Sequence, residues 1–161
     1  MRGFDPVTII LQIVSLQFIY YLTLSLSLQL ANFFLAPTLR PHLGQLFSPS
    51  SLDPSLPAFY STLLGHALNL PLTVFSLCSL VEKANKCLDF TATIFFYHFL
   101  LTWATYEFPS NLSWWAAHAL IVTVTVLVAE FACLKLETAE IKLDFGHIIH
   151  EGVKGAQKYL D

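Results

Sequence analysis

Charge is scarce in this sequence. Charged residues make up 12 % of its 161 positions, where a soluble domain carries about a quarter. The few charges gather in short patches and leave long runs with none, while apolar residues reach 55 % and the mean hydropathy is +0.63. Uncharged runs of about 18 or more apolar residues are membrane spans, so an ordinary soluble domain is excluded. Strict apolar–polar alternation is also lacking, which excludes a membrane β-barrel. No phosphate-cradling glycine loop, no His-Glu-x-x-His and no G-x-S-x-G is found, so an enzyme is not expected, nor a cofactor, a bound metal or a nucleic-acid partner. A basic leader is missing as well. The first hydrophobic run, from Val7 to Ala36, is about twice as long as a signal core and follows Asp5-Pro6, so it is expected to stay as the first span. Cysteine appears three times, at Cys78, Cys87 and Cys133. The spacing suits no metal site, and a position near the reducing side argues against disulfides.

What is present is a set of four uncharged segments, at about 7–36, 58–81, 88–106 and 112–133. They predict an all-α membrane protein, a four-helix bundle occupying residues 1–142, followed by a charged tail over 143–161. Asp5 suits an N-cap and Pro6 the first helical position of the first segment. That segment exceeds the roughly 20 residues a span needs, so it tilts or runs on into the interface. A loop with Pro37, Pro41, Pro49, Pro54 and Pro57 follows, poor material for a helix interior. Pro71 lies inside the second segment and predicts a kink, which membrane helices tolerate. The connector Glu82-Lys83-Ala84-Asn85-Lys86 leads to the third segment, and Glu107-Phe108-Pro109-Ser110-Asn111 leads to the fourth. Trp114 and Trp115, with Tyr106 opposite, are expected to anchor at the interface.

Four spans put both termini and the middle connector on one side. That side holds seven basic residues, Arg2, Lys83, Lys86, Lys135, Lys142, Lys154 and Lys158, against Arg40 alone on the other. Basic residues mark the cytosolic face, so both termini are expected in the cytosol. Asn111-Leu112-Ser113 fits the glycosylation pattern on the opposite side, but a short turn beside Trp114 favours a plain helix start.

Ionisable groups at membrane depth are costly and invite a functional reading. They are His66, Asp89, His98, His118 and Glu130, with Gln12, Gln17 and Asn69 as polar company. Asp89 lies near a helix N-terminus, where a carboxylate agrees with the macrodipole; Glu130, near a C-terminus, opposes it. His98 shares a heptad-spaced stripe with Thr91 and Thr105, and Thr102 falls on the same side. Gly65, Asn69 and Thr73 form a second stripe, with His66 and Ser76 nearby. These stripes are expected to face one another inside the bundle, where such groups fix packing rather than carry protons. His147 and His150 stand at i and i+3 but lack a third ligand, and are read as solvated. Ile148, Ile149, Val153, Ala156 and Leu160 follow helical spacing, interrupted by Gly146, Gly152 and Gly155, so the tail is either amphipathic or disordered. Cys87 and Cys133 are candidate palmitoylation sites, although plain interface residues are favoured.

Asp5-Pro6, Ile9-Ile10-Leu11-Gln12-Ile13-Val14 and Tyr20-Tyr21 open a recognisable series. It continues with Lys86-Cys87-Leu88-Asp89-Phe90-Thr91, then Phe96, His98-Phe99-Leu100 and Trp103, then Phe108-Pro109-Ser110 and Trp114-Trp115. Glu130, Cys133, Glu137 and Glu140-Ile141 close it. Together these residues resemble the Sys family of integral Golgi membrane proteins, up to about Lys142; the first loop and the tail depart from it. The resemblance implies a non-enzymatic receptor for an Arf-like small GTPase, the Arf-related protein, whose acetylated N-terminus replaces a myristoyl anchor. It also implies that recruitment leads, through a second Arf-like GTPase, to docking of GRIP-domain golgins at the trans-Golgi. Asp89 and Glu130, beside Lys83, Lys86 and Lys135, are the candidate partner-binding residues: a carboxylate there suits the amides at the start of an incoming helix. Two other classes remain open. One is a proton- or solute-coupled carrier using His98, Asp89 and Glu130, though no internal repeat is visible. The other is an assembly factor that binds membrane helices through Gly65, Asn69 and Thr73.

Overall fold

The computed structural model describes residues 6–40, 42–81 and 83–157, with side-chain detail up to Ala139. Asp5, Arg2, Pro41, Glu82 and Lys158 therefore lie outside the described residues, as do the side chains of His147, His150 and the other tail positions. Four helices are long and apolar enough to cross a membrane, and no strand occurs among the described residues. They are α1 (Pro6–Leu35), α3 (Phe59–Val81), α4 (Cys87–Thr105) and α5 (Leu112–Gln157), while α2 (Leu43–Phe47) is a short helix in the first loop. Successive spans run antiparallel, with Gln12 against Leu80 and Leu28 against Gly65, then Cys87 against Cys133 and His98 against His118, so the bundle has a connector end, at residues 83–86, and a loop end, at residues 36–58.

Each span divides into a lipid-facing and an inward-facing side. On α1 Val7, Ile10, Val14, Phe18, Leu22 and Phe33 are exposed, while Leu16, Leu24, Ser27, Leu28, Ala31 and Asn32 are buried. The outward residues are the more uniformly apolar set, as expected when lipid is the outer solvent. On α3 Gly65, His66, Asn69, Thr73 and Ser76 all turn inward, and the helix continues through Pro71. Gly65 decides how closely α1 approaches: a Cβ there would stand 2.5 Å from Leu28 Cδ2 and 3.1 Å from Leu28 Cα. Small residues of this kind let membrane helices pack backbone to backbone. Thr91, His98 and Thr102 of α4 are buried as their stripe implies. Thr105 is not; it ends the helix exposed, with its hydroxyl returned to Leu101 O at 2.6 Å.

Three regions depart from the sequence expectation. The proline-rich loop folds back on the bundle, through α2 and a 3-10 turn at Pro49–Leu52. It is held by a reciprocal amide pair: Asn32 Nδ2 donates to Gln45 Oε1 at 2.7 Å, and Gln45 Nε2 donates to Asn32 Oδ1 at 3.0 Å. Trp114 is not an interfacial anchor. It is 2 % exposed and packs on His118 at 4.1 Å, while Trp115, 37 % exposed, donates Nε1–H to Pro109 O at 2.8 Å. Adjacent helical residues point about 100° apart, so only one of the pair faces lipid. Finally, α5 does not stop near the membrane edge. Its backbone is helical for 46 residues, about 69 Å at 1.5 Å per residue, or twice the hydrocarbon thickness.

Candidate docking groove at the connector end

The connector joins two helix ends whose backbone groups need partners. Distant side chains supply them. Gln12 Nε2 of α1 donates to Leu80 O near the end of α3 at 2.7 Å, and Glu137 Oε1 of α5 accepts from the Ala84 N–H at 3.1 Å. The second bond opens the 3-10 turn Ala84–Lys86 that leads into α4, where the Lys83 side chain makes no cap. α1 thus holds the end of α3, and α5 holds the connector that follows it.

Beneath it lie the three cysteines, all free thiols. Cys133 Sγ donates to Cys78 Sγ at 3.2 Å and lies 3.5 Å from Cys87 Sγ. Cys87 and Cys133 are buried in the bundle core, so neither thiol meets lipid or cytosol, and palmitoylation is not favoured at either. The thiols behave as small core residues that join α3, α4 and α5.

Between α1 and α4 the connector end opens into a groove of about 180 Å³, floored by Ile9, Ile13, Val81 and Phe90 and rimmed by Gln12, Lys86, Asp89 and Thr93. Asp89 and Lys86, both exposed, therefore share one site. Lys83 is exposed on the adjoining connector. The other two candidates are on α5: Glu130 is half-buried, and Lys135 covers the Phe131 ring with Nζ 4.5 Å from its centroid. Lys135 faces a separate shallow surface with Leu134, Thr138 and Ala139. Lys86 and Asp89 thus share the groove, Lys135 faces another surface, and Glu130 lines neither. Sequence reasoning noticed Glu137 only as part of the matching series and did not foresee that it caps the connector; a bond to a residue 53 positions away leaves no local signal.

The membrane interior holds His66, His98 and His118. Their ring centroids lie 5.1 Å (His98–His118), 5.4 Å (His66–His118) and 6.4 Å (His66–His98) apart. Tyr21, Phe47 and Trp114 crowd His98 at about the same range. Neither this trio nor the cysteines, nor any other group of His, Cys, Asp or Glu among the described residues, can hold a metal ion. A relay from Asp89 to His98 would have to cross about 13 Å of helix, and His98 is packed among aromatic rings with its Nδ1 3.4 Å from the Tyr21 hydroxyl. The arrangement suits packing.

Comparison with known proteins agrees with this architecture. Residues 1–143 match the model of the SYS1 family, described as an integral membrane protein linking to the trans Golgi network. A SYS1 homolog of Dictyostelium discoideum is 31 % identical over 145 residues, which is 90 % of this chain and 62 % of that protein. This chain therefore spans under two thirds of the Dictyostelium relative. A SYS1 homolog of Nematostella vectensis is 28 % identical over 142 residues, covering 88 % of this chain and 89 % of that one. No solved structure matches the chain. With four apolar helices and a match that runs through all of them, the chain belongs to the SYS1 family of integral membrane proteins of the trans Golgi network.

Proposed function

We propose that this protein is a Golgi membrane receptor that recruits an N-terminally acetylated Arf-like small GTPase, with its termini and connector in the cytosol, for golgin docking and vesicle traffic at the trans-Golgi. The observation that carries the reading is the groove between α1 and α4: an apolar floor with Lys86 and Asp89 on its rim, at the end of the bundle that holds the excess of basic residues. An acetylated helix lacks the roughly 0.8 kcal/mol per buried CH₂ that an acyl chain supplies. It needs a protein site at the membrane surface that accepts apolar side chains and offers a carboxylate to its N-terminal amides. The groove has both features, and the family's link to the trans Golgi network agrees with the location.

Co-purification with acetylated and non-acetylated GTPase tests the reading. Selective capture of the acetylated form is the expected result, and equal or absent capture of both overturns it. Asp89→Ala is expected to abolish capture; Glu130→Ala tests whether α5 contributes to the same surface.

A further inference from the structure

A second feature lies deeper, independent of the docking groove. A half-open pocket of about 30 Å³ sits among α1, α3, α4 and α5, with Tyr20, His66, Asn69, Thr73, Thr91, His118 and Thr125 as the polar part of a mainly apolar lining. Aliphatic and aromatic walls complete it. Three of the lining residues each carry a buried polar atom that meets no protein partner: Asn69 Oδ1, Thr91 Oγ1 and His118 Nε2. Leaving such atoms unpaired away from water costs about 1–3 kcal/mol each, more than a bundle of this size spends without return.

The chemistry of the atoms defines what fits. His118 Nδ1 lies 2.9 Å from Trp114 O. A carbonyl oxygen can only accept, so Nδ1 carries the proton and donates, which leaves Nε2 of the neutral ring as an acceptor. Asn69 Oδ1 is also an acceptor, and the Thr91 hydroxyl gives or takes a bond. A single partner with two protons therefore donates to these two acceptors and accepts from the hydroxyl. No carboxylate lines the cavity, so nothing there calls for a cation. Size excludes larger molecules: a water needs about 10–15 Å³ by this measure, so 30 Å³ admits one or two waters and no lipid or sterol headgroup.

We infer that the bundle holds a hydration site at membrane depth, in which about one or two ordered waters donate to Asn69 Oδ1 and His118 Nε2 and accept from Thr91 Oγ1. The water links α3, α4 and α5 by hydrogen bonds where no direct side-chain bond joins the three atoms. Its role is to satisfy polar groups that lipid cannot.

Solid-state NMR of the full chain, labelled and reconstituted in phosphatidylcholine bilayers, tests the site through magnetisation transfer from water. Transfer to the His118 and Thr91 side chains is expected to build up several-fold faster than to Leu77, which is fully buried in the dry core. Build-up as slow as at Leu77 would overturn the inference. The same spectra report the His118 tautomer: a bare Nε2 and a protonated Nδ1 are expected, and a proton on Nε2 would overturn the assignment of the acceptor. Thr91→Val keeps the shape but removes the hydroxyl, so transfer to His118 should slow at least two-fold; unchanged transfer would overturn the role given to Thr91.

Discussion

The two ends of the bundle solve the same problem in opposite ways. At the loop end, backbone and side chains close the structure. Gly65 brings α3 against Leu28 of α1, the Asn32–Gln45 amide pair pins the fold-back, and Phe47 packs over Tyr21 and His98. At the connector end the helices are held from the flanks, by Gln12 and Glu137, and the space between α1 and α4 is left open and charged at its rim. The contrast teaches where change is tolerated. A closed end stores stability in contacts that a substitution breaks, whereas an open rim can vary its side chains with little effect on folding and a large effect on what it binds.

The comparison is broken most severely at Gly65. Gly65→Leu drives a side chain into Leu28 and is expected to destabilise the fold by about 3 kcal/mol, read as a lowered melting temperature in detergent. Asn32→Leu comes next. It strands the buried Gln45 amide at a cost of about 2 kcal/mol. The double substitution Asn32→Leu with Gln45→Leu should recover most of that loss in the same assay, because neither amide is then left unpaired. At the connector end Glu137→Ala removes the acceptor for Ala84 N–H and is expected to cost about 1 kcal/mol, with faster hydrogen exchange confined to the connector. Asp89→Ala should change stability by less than about 0.5 kcal/mol while removing GTPase capture, and a melting shift as large as that of Asn32→Leu would place Asp89 in the scaffold instead.

The smallest effect belongs to Asp53 in the first loop. The backbone N–H and hydroxyl of Ser55, at 2.9 and 2.7 Å, hold its carboxyl below the usual carboxylate range. A depressed folded-state value means that this contribution is present above the ordinary carboxylate range and is lost as pH falls through the folded value. Ser55→Ala removes one of the two bonds, so the Asp53 carboxyl signal should titrate at higher pH than in the wild type.

The spans were legible because length and lack of charge suffice to specify a helix in lipid, and the inward stripes were legible because His66, Asn69, Thr91 and His98 have nowhere else to go. Other features were set by tertiary contacts. Trp114 and Trp115 look alike in sequence, and only the helix phase relative to α4 decides which one is buried. The fold-back at Leu43–Phe47 is too short to show periodicity and depends on Asn32 being there to meet Gln45. The thiol contacts unite residues 46 and 55 positions apart, with no spacing rule to betray them. Of the candidate site, the charges were legible as residues near a membrane edge. That Lys86 and Asp89 line a groove with α1 while Lys135 faces a different surface was not, since it depends on which helix α1 lies against.

The uninterrupted backbone of α5 also makes this helix a lever. From Glu130 to Gln157 it extends about 40 Å, so a 10° tilt of its embedded half sweeps the far end through about 7 Å. Glu137 grips the connector near the fulcrum. A tilt of α5 where it holds the connector would therefore be felt at a distance, as a swing of the outer arm rather than a change of contacts along it.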